Sequence, residues 1–369
     1  MKELLFDDFL LDDFRSIVLE SRPLIDVRAP VEFAKGSFPH AVNLPLMNDE
    51  ERHLIGIRYK EEGNASAVAL GKELIDGNPR EERTAKWKAF VQKHPDAYLY
   101  CFRGGQRSQI SQSWLAEADI QIPRLEGGYK AFRHFLMTES ERIAKETPSL
   151  VIGGRTGSGK TLLLHKLDNM IDLEGLANHR GSTFGQKISH QPSQIDFENC
   201  LAYALIAHEV SGYKHLVMED ESYRIGQLAI RNPLFEYLHE GSLIILETTL
   251  SERIDIIMNE YVTDALTQYS ERYGDEGAEQ WFDAAIAGLA RIQKRLGSQR
   301  HRQIKECFGE AFKVQQKNGS VERHKDWIKI LLEEYYDPMY DYQIEKSAIP
   351  IVFRGNEEAV LEYIQTFEA

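Results

Sequence analysis

The sequence predicts an α/β protein made of two consecutive domains, each built on a parallel sheet, with a helical part after the second sheet. Three observations predict it. Short apolar runs alternate with helical stretches through the first half, and parallel strands need such crossovers. A further apolar run, Ser149-Leu-Val-Ile152, leads straight into Gly154-Arg155-Thr156-Gly157-Ser158-Gly159-Lys160-Thr161, which fits G-x-x-x-x-G-K-[ST]. With 369 residues the chain is long enough for two cores. The polar, charged stretch Thr138 to Pro148 reads as a helical linker. The expected divisions are therefore 1–138, a linker at 139–148, and 149–369.

Pro23-Leu-Ile-Asp-Val27 is a buried-strand candidate ending in Asp26-Val-Arg28, and Phe38 to Pro45 is a loop and strand punctuated by two prolines. Residues 49–93 are charge-rich and helical in pattern, with an interruption near Gly77-Asn-Pro79. Asp96 to Tyr100 is the next strand. A helix follows from about Ser108 to Ala118, with Ile110, Trp114 and Leu115 on one face. Gly127-Gly128-Tyr129 opens another. Beyond the glycine-rich loop, Leu162, Leu163, Leu164 and Leu167 continue as a helix, and Gly175 to Gln194 is a long polar loop of the kind that serves function. His215 to Met218 and Ser242 to Leu246 are strands, and from Ser251 onward the chain is mainly helical.

The glycine-rich loop is a site for a di- or triphosphate. Its backbone N–H groups converge on one point, and glycine is needed because a Cβ would block close approach to phosphate oxygens. Lys160 adds a point charge, and Thr161 a hydroxyl for a Mg²⁺ ion if one is used. Glu219 and Asp220, at the end of a strand, could hold that ion's water shell; a helix N-cap cluster is the equal alternative.

Cys101 stands where a strand meets a helix N-terminus. The N–H groups of Arg103, Gly104, Gly105, Gln106, Arg107 and Ser108, with the two guanidinium groups, would favour a thiolate and bind a tetrahedral oxyanion beside it. Cys200 reads as core, and Cys307 has no partner spacing. No disulfide framework or structural metal site is indicated.

A formal charge of −14 argues against non-specific nucleic-acid binding by the whole surface. Yet Arg291 to Asp326 holds ten Lys or Arg against four acids, Arg295, Arg300, Arg302 and Lys305 among them. This is either a local RNA-facing patch or a solvated helix face. Met1 to Asp8 is acidic and is no secretory signal, and no apolar run is long enough to span a membrane, so the expected compartment is the reducing cytoplasm.

Asp26-Val-Arg28, Glu32-Phe33, Phe38 to Pro45, the Cys101 loop and Leu125-Glu-Gly-Gly-Tyr129 resemble, in that order, a rhodanese domain. Five residues separate Cys101 from Arg107, where common rhodaneses have four; loops of this size accommodate a tetrahedral oxyanion. A rhodanese-like domain followed by a P-loop NTPase-like domain resembles the bacterial tRNA 2-selenouridine synthases. The likeness extends to His179-Arg-Gly-Ser-Thr-Phe-Gly185, Gln191-Pro-Ser-Gln194, Glu219-Asp-Glu-Ser222 and Tyr336-Asp-Pro-Met-Tyr340.

That resemblance implies a transferase that replaces the sulfur of wobble-position 2-thiouridine, in tRNA-Lys, tRNA-Glu and tRNA-Gln, by selenium. Selenophosphate is the implied donor, and an S-geranyl nucleoside made from geranyl diphosphate the implied intermediate. Residues Gly154 to Thr161 would hold the diphosphate. Arg103 to Ser108 would hold selenophosphate, with Cys101 accepting selenium and delivering it to C2. No permanently bound cofactor and no obligate protein partner is implied. Tyr269, Tyr273, Tyr335 and Tyr336 are candidate base stackers or core. The competing class is a small-molecule kinase or NTPase fused to a sulfurtransferase or redox-sensing domain.

Overall fold

The computed structural model describes residues 10–11, 13–182, 184–346 and 349–368, so the Met1 to Asp8 segment lies outside the described residues. The chain divides into two units. One comprises the residues up to Ile143 together with Ser193–Ser211; the other comprises Ala144–Pro192 and Gly212 onward.

The first unit carries five parallel strands: β1 (Leu10–Leu11), β2 (Leu24–Asp26), β3 (Ala41–Asn43), β4 (Tyr98–Tyr100) and β5 (Arg124–Leu125), in the order β1-β5-β4-β2-β3. Central strands of a parallel sheet are covered on both faces, which is why Leu24, Ile25, Leu99 and Tyr100 are all fully buried. The Asp26-Val-Arg28 signature is a buried ion pair. Arg28 donates through Nη2 to Asp26 at 2.6 Å and to the carbonyl of Gly36 at 2.9 Å, and its guanidinium lies 3.9 Å from the centre of the Tyr129 ring. Asp26 and the Gly36 carbonyl give the buried guanidinium the partners that burying a charge requires.

Residues 49–93 form three helices, Asp49–Glu62, Asn64–Ile75 and Asn78–Lys93. The break near Gly77 is where the sequence places it. A second break falls at Gly63, which takes a left-handed φ of +81° between the first two helices. The helical linker is the end of one helix, Gly128–Glu146, which runs unbroken from the first sheet. The helix Gln194–Val210 packs in this unit. Asn199 donates to the Ser37 carbonyl and accepts from Arg133 at 2.6 Å, and Asp196 accepts from the Ser37 amide at 2.7 Å.

The second unit has a five-stranded parallel sheet of β6 (Ser149–Gly153), β7 (Met170–Ile171), β8 (Leu216–Glu219), β11 (Ser242–Leu246) and β12 (Ile351–Gly355), ordered β12-β11-β6-β8-β7. A two-stranded ribbon, β9 (Arg224–Ile225) with β10 (Leu228–Ala229), lies between β8 and β11 in sequence. β6 is central and wholly buried, so the loop that follows it leaves from the middle of the sheet. The strand β12 returns from the helical C-terminal part to the sheet edge. It interrupts the helical reading from Ser251 onward, because its Ile-Val-Phe run carries no turn signal besides Pro350. The helical part buries a second core around Trp281, Phe308, Phe312, Trp327 and Leu331.

Candidate functional sites

In the second unit the Gly154–Thr161 loop joins β6 to a helix of only five residues, Lys160–Leu164. The sequence suggests continuation to Leu167, but the chain tightens to i→i−3 bonds at Lys166 and Leu167 and drops into β7. So short a helix has little macrodipole, and anion binding must rest on the loop amides and Lys160. Glycine at 157 is structural necessity: φ is +79°, and a Cβ would stand 2.6 Å from Ile257 Cδ1. The loop is braced from outside. Buried Arg253 donates Nε to the Thr156 carbonyl at 2.9 Å and pairs with Asp337, while Thr248 donates to the Ser158 carbonyl at 2.8 Å. Arg155 turns its guanidinium onto Asp341 at 2.8 Å. Lys160 Nζ donates to the Gly154 carbonyl at 3.0 Å, across the mouth of the loop.

Beside the loop, Glu174, Glu219 and Glu221 bring carboxylate oxygens within 4.8 Å of one another. Glu219 Oε1 is buried with no hydrogen-bond partner. Burial, and then the neighbouring Glu174, push the Glu219 carboxyl up to about 7 despite Lys160; burial, Glu174 and Glu219 push Glu221 up to about 9. An oxygen-only donor set of this kind, next to the Thr161 hydroxyl, fits a hard divalent cation such as Mg²⁺. Of the two acids picked from sequence, Glu219 belongs to this group, and Asp220 lines the same cleft with an exposed side chain. The sequence gives no sign of Glu174, and shows Glu221 only as the third acid of the run Glu219-Asp220-Glu221. They come together only through the fold, Glu174 from the short helix Leu173–Ala177 after β7 and Glu221 from just beyond β8.

The cleft over the loop, about 490 Å³, is polar. It shares Thr156, Arg180, Ser182, Lys187, Tyr261 and Tyr336 with a second cavity of about 310 Å³. That second cavity is walled by Phe184, Ile257, Ala265, Tyr269, Trp281 and Leu331. Tyr335 and Tyr336 are buried, whereas Tyr269 and Tyr273 line the apolar cavity with ring centroids 5.8 Å apart. A phosphate cradle thus opens into an aromatic and aliphatic chamber.

In the first unit β4 runs into Cys101, and the helix Gln106–Glu117 begins five residues later. Cys101 is buried, with Sγ 3.3 Å from the Ser108 hydroxyl. Four of the loop's carbonyls are engaged. Tyr129 and Lys130 amides donate to Cys101 and Phe102, Arg124 Nη1 donates to Gly104 at 2.8 Å, and Gly105 accepts from Gln109 and Ser108. Gly128 makes this possible, since a Cβ there would lie 2.3 Å from the Cys101 carbonyl oxygen. Arg107 forms a two-pronged pair with Glu32, at 2.6 and 3.3 Å. Burial raises the Glu32 carboxyl, but Arg107, the Ala29 amide and Arg52 outweigh it and hold the group below its ordinary value. Arg103 is exposed, its guanidinium 5.9 Å from the Phe102 ring centre. A groove of about 890 Å³ lies over Cys101, walled by Met47, Ile55, Val68, Ile110 and Trp114 and rimmed by Arg52, Lys60 and Arg103.

The basic stretch spreads along the helix Ser298–Asn318, whose buried face is Ile304, Phe308, Ala311 and Phe312. Arg302 and Lys305 are exposed on the opposite side, and Arg300 pairs with Glu334 at 2.9 Å. Lys313, Arg323 and Lys325 are also paired with acids, which reduces the net field. Arg295 stands apart from them and lines the phosphate cleft. Among the described residues no helix is long and apolar enough to cross a membrane.

A cysteine loop on one parallel sheet and a braced phosphate loop on another define a rhodanese-like domain joined to a P-loop domain. Family models agree: the Rhodanese-like domain matches residues 11–134, and the tRNA 2-selenouridine synthase AAA domain matches residues 147–369. The chain belongs to the tRNA 2-selenouridine synthase family. It is 57% identical to the tRNA 2-selenouridine synthase of Sulfurovum sp. (strain NBC37-1), covering 96% of this chain and 98% of that one. It is 48% identical to that of Hydrogenovibrio crunogenus (96% and 98% covered) and 44% identical to that of Shewanella frigidimarina (95% and 96%).

Proposed function

We propose that this chain is a tRNA 2-selenouridine synthase that works in two half-reactions, S-geranylation of wobble 2-thiouridine in tRNA-Lys, tRNA-Glu and tRNA-Gln, then replacement of the geranyl-thio group by selenium. The observation that carries the reading is the phosphate cradle opening into an apolar chamber. A ligand that fills both has an anionic diphosphate head and a hydrocarbon tail, and geranyl diphosphate is such a molecule. Loop amides and Lys160 stabilise the charge that develops on the diphosphate as the allylic C–O bond breaks. The thiocarbonyl sulfur takes the geranyl group and becomes a better leaving group. Glu174, Glu219 and Glu221 would hold Mg²⁺, which when bound neutralises diphosphate charge.

The cysteine loop is the site for selenophosphate, a tetrahedral anion suited to free backbone amides with Arg103 and Arg107 at hand. The exposed cations Arg295, Arg302 and Lys305 serve RNA phosphates, and the cytoplasm holds all the substrates. Lys160→Ala tests the assignment. It should suppress geranyl transfer to thiolated RNA at least 100-fold, a loss of about 3 kcal/mol of transition-state stabilisation, while the variant keeps its fold by circular dichroism. Geranylation at the wild-type rate would refute the diphosphate site, and ATP turnover without any nucleoside change would favour a kinase or NTPase.

A further inference from the structure

The cysteine loop leaves open which atom of selenophosphate the thiolate attacks. Selenophosphate as the donor is carried over from the proposed function; the chemistry at Cys101 is not. Selenium in that anion is already at the selenide level. To ride on Cys101 as a perselenide it would first lose two electrons and then regain them on reaching C2, and the substrates include neither an oxidant nor a reductant. Attack at phosphorus needs neither.

We propose that Cys101 Sγ attacks the phosphorus of selenophosphate, so that the protein carries the phosphoryl group as S-phosphocysteine and releases selenide for the RNA. Three features of the loop support this. Five residues stand between Cys101 and Arg107, so Phe102 to Arg107 offer six successive backbone N–H groups. The carbonyls of Cys101, Phe102, Gly104 and Gly105 are all turned to the scaffold. Among the described residues, no backbone N–H from Phe102 to Arg107 donates to a protein acceptor. Successive free amides around a left-handed glycine, Gly104 at φ +65°, form a nest for three phosphoryl oxygens. Lastly, Ser108 is fully buried with its hydroxyl 3.3 Å from Sγ. It now donates to the Gly105 carbonyl, and a rotation of the hydroxyl turns that proton to the sulfur.

The steps balance. The S–P bond forms as the P–Se bond breaks, and the electron pair leaves on selenium, which ends as HSe⁻ with the proton that Sγ gave up on becoming the thiolate. HSe⁻ adds to C2 of the S-geranyl base, the C2–S bond breaks, and geranyl thiol departs with the proton. Water then attacks phosphorus, the S–P bond breaks with its electron pair returning to Sγ, and inorganic phosphate leaves. Ser108 donates to the departing thiolate in that last step. No atom changes oxidation state.

The test uses the full-length protein, first without RNA for labelling and then with S-geranyl RNA for selenation. Selenophosphate labelled with ³²P or with ⁷⁵Se is mixed with it and stopped in neutral denaturant. We expect ³²P on the wild-type protein, withstanding dithiothreitol, with no ⁷⁵Se and no label on Cys101→Ser. Ser108→Ala should lengthen the lifetime of the ³²P adduct about tenfold, the value of one hydrogen bond to a charged group, and Ser108→Thr should restore it. Dithiothreitol-labile ⁷⁵Se on the protein without ³²P would overturn the proposal. So would selenation of S-geranyl RNA by Ser108→Ala with no ³²P adduct at any time. A wild-type protein that never selenates S-geranyl RNA would instead refute selenophosphate as the donor.

Discussion

Filling the apolar chamber should change which diphosphate the protein prefers. Ala265 stands in its wall, one helical turn after Tyr261 and one before Tyr269, and both tyrosines line the same space. Ala265→Phe projects six ring carbons into a cavity of about 310 Å³. At about 0.8 kcal/mol per buried methylene, displacing roughly four carbons of a bound geranyl chain forfeits about 3 kcal/mol. That is roughly a 150-fold fall in kcat/KM. Dimethylallyl diphosphate, five carbons shorter, leaves that end of the chamber empty and should lose less than about threefold. The assay is alkylation of a 2-thiouridine anticodon oligonucleotide with each diphosphate, read by mass spectrometry. The ratio between the two donors is the informative quantity, since partial unfolding lowers both alike. Equal losses, or none with geranyl diphosphate, would refute the chamber as the tail site.

Cys101→Ser should still make S-geranyl RNA and then stop, because a serine hydroxyl near pH 7 is a far poorer nucleophile than a thiolate; chromatography of digested RNA would show the intermediate accumulating. Glutamate at Arg302 and Lys305 together should weaken tRNA binding and flatten the log–log salt slope by up to about 2, one phosphate contact each, as read by filter binding across a salt series. His324 gives a pH test. It is fully buried, accepts from Trp327 Nε1 on Nδ1 at 2.9 Å and bonds Gln315 through Nε2 at 2.8 Å. Burial lowers its pKa to about 4, so the neutral ring stabilises the fold. That contribution is complete above the ordinary value of about 6.5 and declines as pH falls toward 4, by at most about 3 kcal/mol. Denaturant titrations from pH 7 to 4.5 should show the decline, and His324→Gln should remove it from an already weakened fold.

The two loops are legible because each is a contiguous run in which glycines, a nucleophile or a lysine, and the flanking strand all stand at fixed offsets. Cys101 directly follows β4, and Lys160 opens the helix at the far end of the loop that leaves β6, where that reasoning places them. The acidic group is only half legible. Glu219 ends an apolar strand, whereas Glu174 follows a two-residue strand that no periodicity announces. The chamber is not legible at all. Its walls come from Phe184, Ala265, Trp281 and Leu331, distant in sequence, and each is an ordinary apolar residue until the helices pack. The pairing of Arg107 with Glu32 was equally hidden, since Glu32 lies 75 residues away. The edge strand β12 was missed because a strand beside one neighbour, half open to solvent, needs no strong apolar run.

The helix Gln194–Val210 bears on how the protein is made. It is encoded after the phosphate loop, yet it supplies Asn199 and Asp196 to Ser37, Glu198 to Arg133 and Glu209 to Arg15 and Arg142. Domains ordinarily fold as they leave the ribosome, the N-terminal one first. Here the first unit lacks this helix until Ser211 has emerged. Meanwhile β6, the phosphate loop and β7 are already outside, waiting for strands β8, β11 and β12 that are not yet made. A fragment ending at Ile143 would therefore be unfinished, with Ser37 and Arg133 lacking the partners that this helix brings. Anyone seeking the rhodanese-like half alone should expect it to need residues 193–211 restored, as a grafted helix or a peptide added in trans.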